Sequence, residues 1–126
     1  GNEAAIKNEI EDLFQRSGIN TPSLSDTVMH LTNYDYTEAS VRETFSALVN
    51  LGQLIKIEDG IFIHRSIFDQ IRFLIIEYLE ENQTLTVAEF RELAQTSRKY
   101  AVPFLEYCDR QGITIREGNC RKLRSK

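Results

Sequence analysis

Ser97, Arg98 and Lys99 stand side by side in this chain, ahead of Tyr100 and an amphipathic run that ends at Gly112. If that run is a helix, its start already carries the positive end of the helix dipole and several unsatisfied N–H groups. Two exposed cations there cost roughly a few tenths of a kcal/mol each. A bound anion reverses the sign, because the N–H groups and the Ser97 hydroxyl take its oxygens while Arg98 and Lys99 add charge-assisted bonds. A second basic set, Arg116, Arg121, Lys122 and Arg124, follows in and just beyond "ITIREGNCRKL", Ile113 to Leu123. The two sets could clamp one polyanion. Tyr100 offers either a face for base stacking or, one turn into the helix, a core contact.

Other chemistry finds no support in the residue types. No paired carboxylates, Ser-His-Asp arrangement or metal-ligand spacing stand out, so no catalytic, cofactor-binding or metal residue is assigned. His30 and His64 are isolated in sequence and read as structural or surface residues. Cys108 and Cys120 make no disulfide framework and imply reduced intracellular thiols, Cys108 as a small core residue. The most apolar stretch, "IRFLIIEYL", is interrupted by Arg72 and Glu77 and falls short of the roughly 18 residues that mark a membrane span. A soluble cytoplasmic protein is expected. The opening Gly1-Asn2-Glu3, without initiator Met or leader, reads as part of something longer.

The net charge of −4 over 126 residues hides a gradient. Residues 1–65 hold 5 Lys/Arg against 10 Asp/Glu, residues 66–95 hold 2 against 6, and residues 96–126 hold 8 against 3. The C-terminal stretch is therefore +5 where the rest is acidic, which fits contact with a polyanion or a solvated basic tail.

The elements that must position these residues follow from periodicity. Ile6, Ile10, Leu13 and Phe14 mark an amphipathic helix ended by Gly18; a short helix should cover Ser25 to Leu31. Thr37, Val41, Phe45, Leu48 and Val49 mark a third, with Gly52 just past its end. "LIKIEDGIFIH" predicts a hairpin turning at Glu58-Asp59-Gly60. Ser66-x-x-Asp69 predicts a capping box on a long helix, with Ile67, Ile71, Leu74, Ile75, Tyr78 and Leu79 inward, ending near Asn82.

The pattern then repeats. Thr86-x-x-Glu89 predicts a capped helix with Val87, Phe90, Leu93 and Ala94 inward; Ser97 opens another through Val102, Leu105, Tyr107 and Cys108; a hairpin closes the chain. Gly52 and Gly112 are 60 positions apart, and Gly60 and Gly118 are 58 apart. Two diverged units of three helices and a hairpin result, an α+β, mostly α fold of two tandem winged-helix modules, 1–65 and 66–126. The long helix from Ser66 should leave almost no linker and give a stiff rod. The third helix of such a module presents its N-terminal residues to nucleic acid, which is where Ser97, Arg98 and Lys99 fall. The first module offers "YTEAS" there and Glu58-Asp59 in its wing, and should bind no phosphate.

Residues Leu85 to Leu123 carry a resemblance. Ser97-Arg98-Lys99-Tyr100, Pro103, Leu105-Glu106-Tyr107, Asp109 and Thr114-x-Arg116-x-Gly118-Asn119 are similar to the last winged helix of the bacterial selenocysteine-specific elongation factor SelB, with the first module matching only as a second copy of the same type. Ile115 and Cys120 depart from the pattern, standing where further basic residues are expected, with Lys122 beside them on the strand. The resemblance implies a monomeric, non-enzymatic fragment whose Arg98, Lys99, Arg116 and Arg121 contact an mRNA selenocysteine insertion hairpin, with residues 1–65 as a spacer. It also implies a ribosome and selenocysteinyl-tRNA met through the full-length protein, and GTP with Mg only in an N-terminal domain absent here, since the chain has no phosphate-loop motif. Two other readings stay open on sequence: a DNA-binding winged-helix regulator and a protein-interaction module.

Overall fold

A computed structural model describes residues 2–124; Gly1, Ser125 and Lys126, the outer ends of the two expected spans, lie outside them. The chain divides into two compact units, residues 1–68 and 69–126.

In the first unit, α1 (Asn2–Ser17), α2 (Leu24–Thr32) and α3 (Glu38–Asn50) precede the antiparallel pair β1 (Leu54–Glu58) and β2 (Ile61–His64). Each helix contributes a spaced apolar stripe, and Ile6, Ile10, Phe14, Val28, Leu31, Val41, Phe45, Leu48 and Leu54 form one buried cluster. Phe45 sits edge-on to both Phe14 and Phe62. Helix starts follow the cap rule, with Ser23 accepting from the Asp26 N–H and Thr37 from the Ser40 N–H.

The following helix, α4 (Arg65–Asn82), departs from expectation at its start. The Ser66-x-x-Asp69 box does not form. His64 takes its place: Nδ1 accepts the Ser66 backbone N–H at 3.1 Å and lies 2.9 Å from the Ser66 hydroxyl. Its Nε2 lies 2.8 Å from Glu11 Oε1, so the ring carries its proton on Nε2 and donates to the carboxylate. His64 is 4% exposed and ties the start of α4 back to α1. Arg65 N–H donates to the Gln53 carbonyl as well. This first turn of α4 accordingly belongs to the first unit, and the boundary falls after Phe68 rather than after Arg65. Farther along α4, Ile71, Ile75 and Leu79 are buried as expected, whereas Leu74 and its neighbour Phe73 are exposed.

The second unit continues with β3 (Leu85–Thr86), α5 (Val87–Ala94), α6 (Arg98–Arg110), β4 (Thr114–Glu117) and β5 (Cys120–Leu123). The Thr86 capping box is complete, with the Thr86 side chain accepting from Glu89 N–H and the Glu89 carboxylate accepting from Thr86 N–H. Two residues of strand β3, absent from the periodic pattern, pair with β5 and make the sheet three-stranded in the order β3-β5-β4. Phe90 and Phe104 stack at 5.5 Å. The buried stripe of α6 is Ala101, Phe104, Leu105 and Cys108, together with Pro103; Val102 and Tyr107, expected inward, are only half-buried.

The repeat seen in sequence is present in the hydrogen bonds. Gly52 and Gly112 end the third helix of each unit at φ +79° and +77°, a left-handed backbone that suits glycine. Around them Gln53 N–H donates to Leu48 O and Ile113 N–H to Cys108 O; the wings close with Arg65 N–H to Gln53 O and Arg124 N–H to Ile113 O.

Candidate nucleic-acid interface

Helix α6 opens at Arg98 with Ser97 as its cap residue, and Ser97 has extended backbone (φ −98°, ψ 169°) but makes no side-chain cap bond. At the equivalent place in α2, α3 and α5 a Ser or Thr side chain accepts a backbone N–H. The start of α6 thus keeps its first donors and the Ser97 hydroxyl available to an external acceptor. Ser97, Arg98 and Lys99 are exposed, and neither cation has an ion-pair partner among the described residues. Lys99 Nζ lies over the Tyr100 ring, 5.2 Å from its centroid, and Tyr100 is half-buried.

The wing distributes its cations over both faces of the hairpin. Thr114 faces Leu123, and Arg116 faces Arg121, on one side of the β4–β5 ladder; Ile115 with Lys122, and Glu117 with Cys120, lie on the other. Arg116 is exposed near the turn, where its Nε donates to the Gly118 carbonyl at 3.1 Å and fixes the stem of the guanidinium. Lys122 is exposed but paired: Glu117 Oε1 lies 3.0 Å from its Nζ, and that bond holds the ammonium more firmly protonated than an ordinary lysine. Arg124 is exposed beside Gly112.

Arg121 is placed elsewhere than the sequence suggests. Expected among the exposed basic set, it is 3% exposed, and its Nη2 and Nε reach Asp109 Oδ2 at 2.9 and 3.3 Å. Asp109 Oδ1 accepts the hydroxyl of buried Thr114 at 2.7 Å. A charge next to Lys122 looked solvated in the sequence; the signal that would have placed it is its period-two partner, since Arg121 shares a face with Leu123. Cys108, fully buried below, has its thiol pushed up to about 12, first by burial and then by the Asp109 charge, so it is an inert packing residue. Cys120 is half-buried on the wing, with its thiol toward the Glu117 carbonyl.

Sequence reasoning also missed the Ser66–His64–Glu11 chain, whose members are up to 55 positions apart. It has the residue types of a hydrolytic relay without its chemistry: the one acceptor nitrogen of His64 is already taken by a backbone N–H, and the ring is buried. Among the described residues no group of three His, Cys, Asp or Glu is gathered to hold a metal ion, and no helix is long and apolar enough to cross a membrane.

This geometry can be set beside known proteins. Residues 77–123 match the family described as elongation factor SelB, winged helix. The mRNA-binding domain of elongation factor SelB from E. coli, solved in complex with SECIS RNA, superposes with a TM-score of 0.78 at 26% identity, covering 98% of each chain. The chain is similar to the C-terminal winged-helix modules of SelB. A curated selenocysteine-specific elongation factor from Desulfomicrobium baculatum is 28% identical over 124 residues, 98% of this chain and 19% of that protein. A bacterial selenocysteine-specific elongation factor of known structure shares the fold, with a TM-score of 0.73 at 20% identity over 95% of this chain and 18% of its own. The chain therefore spans about a fifth of the length of the curated SelB relative. Both units, not the second alone, fall within the SelB similarity.

Proposed function

We propose that this chain is the part of a selenocysteine-specific elongation factor that holds the selenocysteine insertion hairpin of an mRNA, and that its second module makes the contact. The observation that carries the reading is the start of α6, where Ser97 makes no side-chain cap bond and Arg98 and Lys99 have no ion-pair partner among the described residues, on a module similar to the SelB winged helix; such a helix start would bind an anion. A-form RNA closes its deep, narrow major groove to a helix, so α6 would engage phosphates and unstacked loop bases at the hairpin tip. Arg98 and Lys99 would neutralise phosphate, Ser97 would donate to it, and Tyr100 would stack on a base. Arg116 and Lys122 would approach from the wing.

The first module is the spacer in this reading. Its third helix opens with Glu38 rather than a cation, and its net −5 keeps it away from a polyanion. The chain acts by binding, as a monomer in the cytoplasm, with no cofactor or membrane; GTP hydrolysis with Mg, tRNA and ribosome contacts belong to the rest of a longer protein. The test is a competition in which a labelled selenocysteine insertion hairpin bound to the chain is challenged by unlabelled hairpin and by duplex DNA of equal charge. Displacement by the hairpin at far lower concentration supports the reading, and equal displacement by both would refute it.

A further inference from the structure

We infer that Asp109, Thr114 and Arg121 form a latch that sets the wing against α6, so that Arg121 governs hairpin binding as a positioning residue rather than as a contact; the inference rests on the reading above. One carboxylate at the end of α6 holds both wing strands: Oδ2 takes the Arg121 guanidinium of β5 and Oδ1 takes the Thr114 hydroxyl of β4. Arg121 also faces Leu85 across the ladder, so the same residue sits in the central strand of the sheet. Two N–H groups and one hydroxyl converging on two oxygens fix direction as well as distance, which an apolar contact does not.

The first module shows what the same fold does without an RNA to read. The corresponding rungs are Leu54↔His64 with Thr114↔Leu123 and Lys56↔Phe62 with Arg116↔Arg121, so Leu54 stands where Thr114 is and Phe62 where Arg121 is. Val49, three residues before Gly52, stands where Asp109 precedes Gly112. All three belong to the apolar core or pack against it. An apolar set therefore fills the place of the latch in the first module, whose wing strand is tied instead to α1 through His64 and Glu11, and apolar residues can stabilise such a position as well as a buried ion pair does. The costlier ionic set occurs in the module whose wing must meet a ligand in register with the helix start. Two exposed groups, Arg116 opposite Arg121 and Lys122 beside it, inherit their placement from the latch.

The experiment transplants the first module's residues. In the intact chain, Asp109→Val with Thr114→Leu and Arg121→Phe is compared with Arg121→Lys and with the control Arg98→Ala, reading hairpin affinity and its salt dependence. The triple variant is expected to fold with a thermal midpoint near that of the parent and to bind the hairpin about tenfold or more weakly. Arg121→Lys, which keeps the charge but loses the fork, should weaken binding several-fold. Both should leave the salt slope unchanged, whereas Arg98→Ala lowers it by about 0.7–0.9. Parental affinity in the folded triple variant or in Arg121→Lys, or a slope that falls by about one in the triple variant, would overturn the latch. A readout without RNA keeps the two claims apart: amide exchange of residues 115–122 should be about tenfold faster in Arg121→Lys than in the parent. If the parent binds no hairpin, the functional reading fails and this exchange ratio alone decides the latch, an unchanged ratio refuting it.

Discussion

Replacing Arg98 and Lys99 together by Ala should move stability and binding in opposite directions. Both side chains are exposed without an ion-pair partner among the described residues, and both sit in the first turn of α6, at the positive end of its dipole. Their removal should leave folding intact and raise stability by roughly a few tenths of a kcal/mol at low ionic strength. On the proposed reading each would make a charge-assisted contact with the hairpin, worth about 1–2 kcal/mol net, so the pair should cost about 2–4 kcal/mol. That corresponds to a loss of roughly 30-fold to several hundred-fold in affinity. With Arg121 buried and Lys122 held by Glu117, the unaltered chain presents about three to four cations to the backbone, and its log–log salt slope should lie near −2.5 to −3.5. The double variant should bring it about 1.5 closer to zero. Anisotropy titrations at several salt concentrations beside a thermal melt read all three quantities. Unchanged affinity and slope in a folded double variant would remove α6 from the interface.

Glu117→Gln frees Lys122 and removes a negative charge from the wing, so hairpin affinity should rise about 2–5-fold in the same titration, while a fall would show that the pair orders Lys122 for binding. The carboxyl of Glu89 lies below the usual glutamate range, chiefly because the Thr86 backbone N–H donates to it. A depressed folded pKa gives stability that is present above the ordinary glutamate pKa and lost as pH falls through the folded value. The stability difference between the parent and Glu89→Gln in urea melts should therefore shrink between neutral pH and about pH 3. His64→Ala deletes the bond to Glu11 and the acceptor for Ser66 N–H, and should destabilise the first unit by about 2–4 kcal/mol in denaturant melts while leaving hairpin affinity unchanged.

Much of this architecture was legible because it is local. The glycines that end α3 and α6 and those in the two wing turns, the Thr86 box and the apolar stripes of α1 and α3 each arise within one turn or one hairpin, and their spacing revealed the repeat. What stayed hidden depends on partners far along the chain. His64 displaces the Ser66 box because Glu11, 53 positions earlier, fixes its ring. Strand β3 has only two residues and exists because β5 lies beside it. The exposed start of α6 could be read from residue types alone, since nothing in a packed core asks for two cations there. Arg121 could not, because its place depends on Asp109, which lies on another element.

The central claim, that the second module holds the hairpin through the start of α6, is tested most directly by following backbone amides of the intact chain as hairpin RNA is added. Saturable shifts concentrated at residues 97–100 and 115–122, with residues 36–41 at the start of α3 unmoved, are the predicted result. Shifts centred on residues 36–41, or none at residues 97–100 under saturating hairpin, would contradict it.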